Sequence, residues 1–284
     1  MFSFDERVIP LDVWITTFVD WLVEGYRWFF QMIKWPVDFT LSGVSDGLLA
    51  TSPVLIIIVF GIIAWRVSGF KLAGFTIASL VLIGLLGFWQ ETMITLAMVF
   101  SSVVFCTVVG VPFGIWAGRS DRVNNILRPV LDAMQTTPAF VYLVPIVMLF
   151  SIGNTAGVLA TIIFSLPPIV RLTSLGIRQV HPELVEAALA FGATSSQVLL
   201  KVQIPLALPT IMAGLNQTIM MSLSMVVIAA MIGAGGLGAP VVLGLNTLDI
   251  GLATVGGLAI VLLAIVLDRI TQSLATKNRG KKNK

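Results

Sequence analysis

The sequence predicts an all-α, polytopic helical membrane protein with about seven transmembrane helices. Two features of composition and one of pattern carry that prediction. Hydrophobic residues fill 57% of the 284 positions and charged residues only 11%, whereas a soluble domain carries about 25% charge. The apolar runs are long and uninterrupted, the signature of spanning helices rather than of barrel strands. The charges collect at or beyond the ends of those runs, in the segment before them, the connections between them and the tail. A single cysteine, Cys106, a single histidine, His181, and no Cys/His cluster argue against a disulfide framework or a metal site. The net charge of +3 arises from a basic tail and basic loops. These read as topology signals rather than as a nucleic-acid surface.

Residues 1–47 are expected to form an extracytoplasmic segment. Its start, Phe2-Ser3-Phe4-Asp5-Glu6, lacks the basic region of a cleavable signal peptide. Over about 11–35, Trp14, Trp21, Trp28 and Trp35 recur every seven residues, with Leu11, Phe18, Gly25 and Met32 on the same helical face. Asp20, Glu24, Arg27, Gln31 and Lys34 gather on another face. Aromatic rings can cage a quaternary ammonium cation, but a linear stripe on one helix cannot enclose one. The pattern fits an amphipathic helix lying in the interface, with its Trp rings among lipid headgroups.

Seven apolar segments follow, over 48–66, 70–89, 92–117, 131–151, 155–177, 207–234 and 250–270. Each is near the ~20 residues needed to cross the hydrocarbon core. The connections at 66–71 (Arg66, Lys71), 118–130 (Arg119, Arg122, Arg128) and 171–201 (Arg171, Arg178, Lys201) are basic, as is the tail over 272–284. The alternate connections hold Glu91, no charge near Gly153, and Asp249. With basic loops inside, the N-terminus is expected outside and the C-terminus in the cytoplasm.

Small residues are spaced for close helix approach at Gly110, Gly114 and Gly118. Pro138 and Pro145 interrupt the fourth segment, and Pro167-Pro168 the fifth, while the sixth carries Asn216, Gln217, Thr218, Ser222 and Ser224. Such breaks and hydroxyls are tolerated where they face protein or a water-filled path. Ordinary hydrogen bonding between helices explains any single hydroxyl equally well. Gly233-Ala234-Gly235-Gly236-Leu237-Gly238 matches a dinucleotide fingerprint, but no strand precedes it, so it is read as a flexible helix terminus. Cys106 is read as core packing. No nucleophile–base pair, paired acidic site or metal spacing supports an enzyme active site.

The polar stretch over 182–205 is different in kind. Pro182 suits the first position of a helix, and Glu183 and Glu186 lie where carboxylates favour the helix dipole. Ala187, Ala188 and Ala190 keep the helix slim, and Gly192 is placed to end it in a left-handed turn. Thr194-Ser195-Ser196-Gln197 is a capping box opening a second short helix, and Pro205 is expected to begin the return into the sixth span.

The spacing Glu186-Ala187-Ala188-x3-Gly192-x9-Val202-x-Ile204-Pro205 resembles the EAA motif of permease subunits of bacterial ABC importers. Asp132-Ala133-Met134-Gln135-Thr136-Thr137-Pro138, Leu166-Pro167-Pro168-Ile169-Val170-Arg171-Leu172 and Ser222-Leu223-Ser224-Met225-Val226 are similar to the glycine betaine/proline betaine permeases in particular. That likeness runs through most of 90–272. The resemblance implies a type-1 transmembrane domain over 92–271, preceded by two accessory helices over 48–91. It implies a homodimer in the bacterial inner membrane that works with two copies of a cytoplasmic ATPase and an extracytoplasmic binding protein, carrying a small quaternary ammonium solute. ATP and Mg would be held by the ATPase; this chain has no G-x-x-x-x-G-K-[ST] and is expected to need no cofactor. Glu186 to Gly192 would form the coupling helix, and Tyr142, Asn216, Met220, Ser224 and Met225 would line the path. Three other readings stand beside this one: an ion-coupled secondary transporter, an ABC permease for another solute such as an amino acid, and a structural subunit with no path.

Overall fold

A computed structural model describes residues 10–280. The opening residues and Lys281, Lys282 and Lys284 of the tail, on which parts of the signal-peptide and basic-tail readings rest, lie outside the described residues.

The chain opens with α1 (Leu11–Ala50), a 40-residue helix with non-helical angles at Tyr26 and an internal Pro36. Trp14, Trp21, Trp28 and Trp35 are all exposed. Beyond Pro36 the helix joins the bundle: Val37 and Leu41 are buried, and Thr155 Oγ1 donates to Asp38 Oδ1 at 2.6 Å. Lys34 Nζ also donates to the Phe150 carbonyl at 3.3 Å. The helix expected over about 11–35 therefore runs on to Ala50, and its second half packs against the body.

The expected first span over 48–66 is broken. Helix α1 ends at Ala50, and α2 (Pro53–Ser68) leaves at 106° to it. The cause is local. Pro53 biases Ser52 to an extended backbone, ψ 140°, and then occupies the first helical position. Ser52 Oγ accepts from the Leu55 amide and caps the new helix. Helix α3 (Phe70–Leu85) runs alongside α2, and α4 (Trp89–Arg119) follows.

The expected fourth span breaks in the same way. Over 118–130 the structure shows helix rather than loop: α5 (Asp121–Thr136), strongly amphipathic, then α6 (Ala139–Phe150) after a 98° bend. Pro138 holds Thr137 extended between them. Helix α7 (Asn154–Arg178) passes through the middle of the bundle, with Pro167 and Pro168 both buried. It leads to α8 (Pro182–Ala190) and α9 (Ser195–Val198). A π turn over Leu199–Gln203 then continues directly into α10 (Ile204–Ala229). Helices α11 (Gly238–Thr247) and α12 (Ile250–Gly280) complete the chain.

The second short helix is thus not separate from the sixth span; one helical path runs over Ser195–Ile232. Pro205 lacks an amide and its ring crowds the carbonyl four residues back. The wider π turn before it, with the Ile204 amide reaching the Leu199 carbonyl, absorbs that conflict without ending the helix.

Among the described residues four helices are long and apolar enough to cross a membrane unbroken, or up to six if each bent pair is one span. The count of about seven is not reproduced, because proline breaks two of the expected spans and Phe70–Leu85 is short.

The core sits where α4, α7 and α10 meet, and small residues allow it. A Cβ at Gly110 would lie 2.4 Å from Ile169, at Gly114 2.5 Å from Thr173, and at Gly118 2.9 Å from Ile177. The three glycines thus meet α7 at matching four-residue steps. Gly176 and Gly214 do the same between α7 and α10. The Gly233–Gly238 stretch does end a helix, with Gly233 at φ +77°, but it is tied down rather than loose. Asn154 Oδ1 accepts from the Gly235 amide at 2.6 Å and Thr95 Oγ1 from the Leu237 amide at 2.8 Å, with Ala234 and Leu237 buried.

Candidate coupling site and solute path

Helix α8 connects the two central helices and is itself built for exposure. His181 precedes it, Pro182 occupies its first turn, and none of its residues is buried. Glu186 and Ala187 are exposed and Ala188 is half-buried. Leu184 and Leu189 stand about half exposed, and Phe191, just beyond the helix, is 93% exposed. Phe191 is the exposed aromatic of this stretch that sequence reasoning passed over. Its signal was an aromatic ring immediately before the terminating glycine in a polar stretch.

The end of α8 is rigid. Gly192 takes φ +81°, its amide donates to Leu189, and the Ala193 amide donates back to the Ala188 carbonyl at 3.0 Å. This is a left-handed helix stop that favours glycine. The expected capping box is present: the Thr194 amide donates to Gln197 Oε1 at 2.8 Å, and the Gln197 amide to Thr194 Oγ1 at 3.3 Å. Val202, Ile204 and Pro205 are half-buried along the start of the long helix.

Charged side chains hold the base of α8. Arg178, at the end of α7, donates to Asp121 Oδ1 at 2.6 Å and to the Ala117 carbonyl at 2.8 Å, near the end of α4. Arg119 donates to Ser195 Oγ, and Arg171 pairs with Asp132.

The five expected path residues do not form one surface. Met225 is fully buried in the core and so lines no opening of this chain. Asn216 is turned to α12, donating to Asp268 Oδ1 at 3.1 Å and accepting from Thr271. Tyr142 donates its hydroxyl to the Met134 carbonyl at 2.6 Å, and its ring meets Phe164 edge-on. Ser224 is exposed and Met220 half-buried. Ser224 shares its face of α10 with exposed Ala213 and Gln217, a polar-edged stripe that none of the described residues covers. A cavity of about 400 Å³, bounded by Val44, Leu48, Phe60, Val103, Leu267 and Thr271, exposes an apolar lining, the Thr271 hydroxyl being bonded to Asn216 and the Leu267 carbonyl.

The description "Binding-protein-dependent transport system inner membrane component" matches residues 110–280, which include α8 and both helices that flank it. The chain belongs to this permease family. The glycine betaine/proline betaine transport system permease protein ProW of Escherichia coli (strain K12) is 56% identical over 281 residues, 99% of this chain and 79% of that protein. The glycine betaine transport system permease protein OpuAB of Bacillus subtilis (strain 168) is 47% identical, covering 97% of this chain and 98% of that protein. Among solved structures, the inward-facing MetNI methionine ABC transporter matches with a TM-score of 0.56 and 27% identity, over 66% of this chain and 92% of that one. The permease therefore has the type-1 ABC importer fold. The helix stop at Gly192 and the capping box at Thr194 give the EAA-like spacing a physical form.

Proposed function

We propose that this permease carries glycine betaine, proline betaine or a related quaternary ammonium solute such as choline or carnitine into the cell. The observation that carries the reading is α8, a rigid helix with no buried residue strung between the two central spans. The names of the relatives, in which glycine betaine recurs, support the solute class. Two copies of the chain enclose the path, two ATPase subunits hold ATP and Mg, and an extracytoplasmic protein delivers the solute. The N-terminus faces outside and α8 the cytoplasm, in keeping with the basic residues around it.

Apolar Phe191, Leu184 and Leu189 seat in a groove of the ATPase, with Glu186 at its rim. Closure of the ATPase pair draws the two α8 helices together and opens the path outward. Hydrolysis lets it return. A zwitterion of zero net charge needs few formal charges along the way, and α10 presents Gln217 and Ser224 rather than ions on its uncovered face.

The test is transport by the complete importer. Changing Glu186 or Gly192 is expected to abolish stimulated ATP hydrolysis and uptake while the permease remains in the membrane. Unchanged ATP-dependent uptake would contradict the role of α8. For the solute, titrating the companion binding protein against quaternary ammonium compounds should give tight binding. Tight binding only of an amino acid without a quaternary or secondary ammonium group would overturn the solute class.

A further inference from the structure

We propose that α5 is a strut that carries the movement of α8 to α6, with Arg178 and Arg171 as the positioning residues that fasten it. The inference rests on the coupling role given to α8 above. Helix α5 is amphipathic, and Leu131 is its one buried residue. Leu131 packs with Ile169 and Val170 of α7, flanked by Leu127 and Met134. Beside that contact a cavity of about 370 Å³ opens between the two helices, edged by Leu127, Arg128 and Arg171. Beyond the single apolar contact, α5 is attached at polar points.

The first point is the Arg178 guanidinium, four residues before α8. It grips Asp121, the first residue of α5, and at the same time the Ala117 carbonyl, which α4 leaves unpaired at its end. The second is the ion pair of Arg171 with Asp132. The two anchors are about 16 Å apart along α5 and about 10 Å apart along α7, since a helix rises about 1.5 Å per residue. Two separated anchors fix direction as well as position, so α5 must turn with the end of α7. The third point lies past the bend, where the Tyr142 hydroxyl donates to the Met134 carbonyl and locks α6 to α5. Arg119, bonded to Ser195, ties the far flank of α8 to the same junction. Displacement of α8 therefore has a route along α5 to α6, a helix with exposed Phe140, Val141 and Val144, beside the route through the packed core.

The experiment uses the complete importer in proteoliposomes, reading solute taken up per ATP hydrolysed and the stimulation of hydrolysis by loaded binding protein. Asp132→Arg and Arg171→Asp singly, and the two together, are compared with Gly192→Val. The pair is partly exposed, so each single reversal, which places like charges together, is expected to lower solute per ATP about fivefold while stimulated hydrolysis stays within about twofold. The paired reversal should restore at least about half of the ratio, which a simple loss of structure would not allow. If a single reversal prevents assembly, Asp132→Asn keeps the shape without the charge and should lower the ratio about threefold. An unchanged ratio in assembled single variants, or no recovery in an assembled paired variant, overturns the strut. If Gly192→Val abolishes stimulated hydrolysis and uptake while the α5 variants keep the ratio, the strut alone fails. If Gly192→Val also leaves stimulated hydrolysis and uptake unchanged, the role of α8 fails with it.

Discussion

Gly114 and Gly192 are glycines for opposite reasons, and the two make opposite predictions. At Gly114 the backbone is ordinary helix and the limit is space, with Thr173 at 2.5 Å and the Val170 carbonyl at 2.7 Å from any added Cβ. Because one of those atoms is backbone, Gly114→Val must push α4 off α7, at a cost of about 1–3 kcal/mol. Thermal inactivation of the purified permease should show it, with Gly74→Ala, where a Cβ meets nothing within 4 Å, as the silent comparison. At Gly192 the space is open and the limit is φ +81°. Gly192→Ala should cost about 1 kcal/mol there, read as roughly fivefold faster hydrogen exchange of the Ala193 amide. Equal effects at both sites would contradict this division. Residue types and spacings such as these could be read from sequence, but facing could not. Neighbours on one helix point about 100° apart, so exposed Ser224 and buried Met225 look alike in a list of path candidates. Only the position of α12 shows that Asn216 is committed to Asp268.

Among the elements, those with local causes were legible in the sequence alone. Pro182, Gly192 and the Thr194–Gln197 box set the limits of α8 and α9, because capping acts within four residues. Thr194→Ala removes one reciprocal bond and should cost about 1 kcal/mol. The expected readout is faster exchange of the Gln197 amide, with Ser222→Ala in mid-helix leaving it unchanged. The long segments were legible as apolar, yet their directions were not. Hydropathy is blind to a turn of 106° at Thr51–Ser52 or 98° at Thr137–Pro138, since apolar residues flank both. Amphipathic α5 was hidden for a related reason. Its Arg122 and Arg128 satisfy a topology rule whether they lie on a loop or a helix, and its partners Arg171 and Arg178 are distant in sequence.

At the scale of the whole molecule, a close-packed body of α4, α7 and α10 carries two less embedded devices, exposed α8 and point-anchored α5. The body lets helices approach through small residues and so transmits displacement with little give. Family membership and the betaine-class relatives place the chain among importer permeases, and exposed α8 is where we propose the driving force enters. The most direct measurement is accumulation of labelled glycine betaine by proteoliposomes holding the permease, its ATPase and external binding protein, with ATP enclosed in the lumen. We expect accumulation above the outside concentration only with enclosed ATP, and its loss when Phe191→Asp places a charge at the tip of α8. Accumulation driven by a sodium or proton gradient without ATP, or undiminished by Phe191→Asp, would contradict the account.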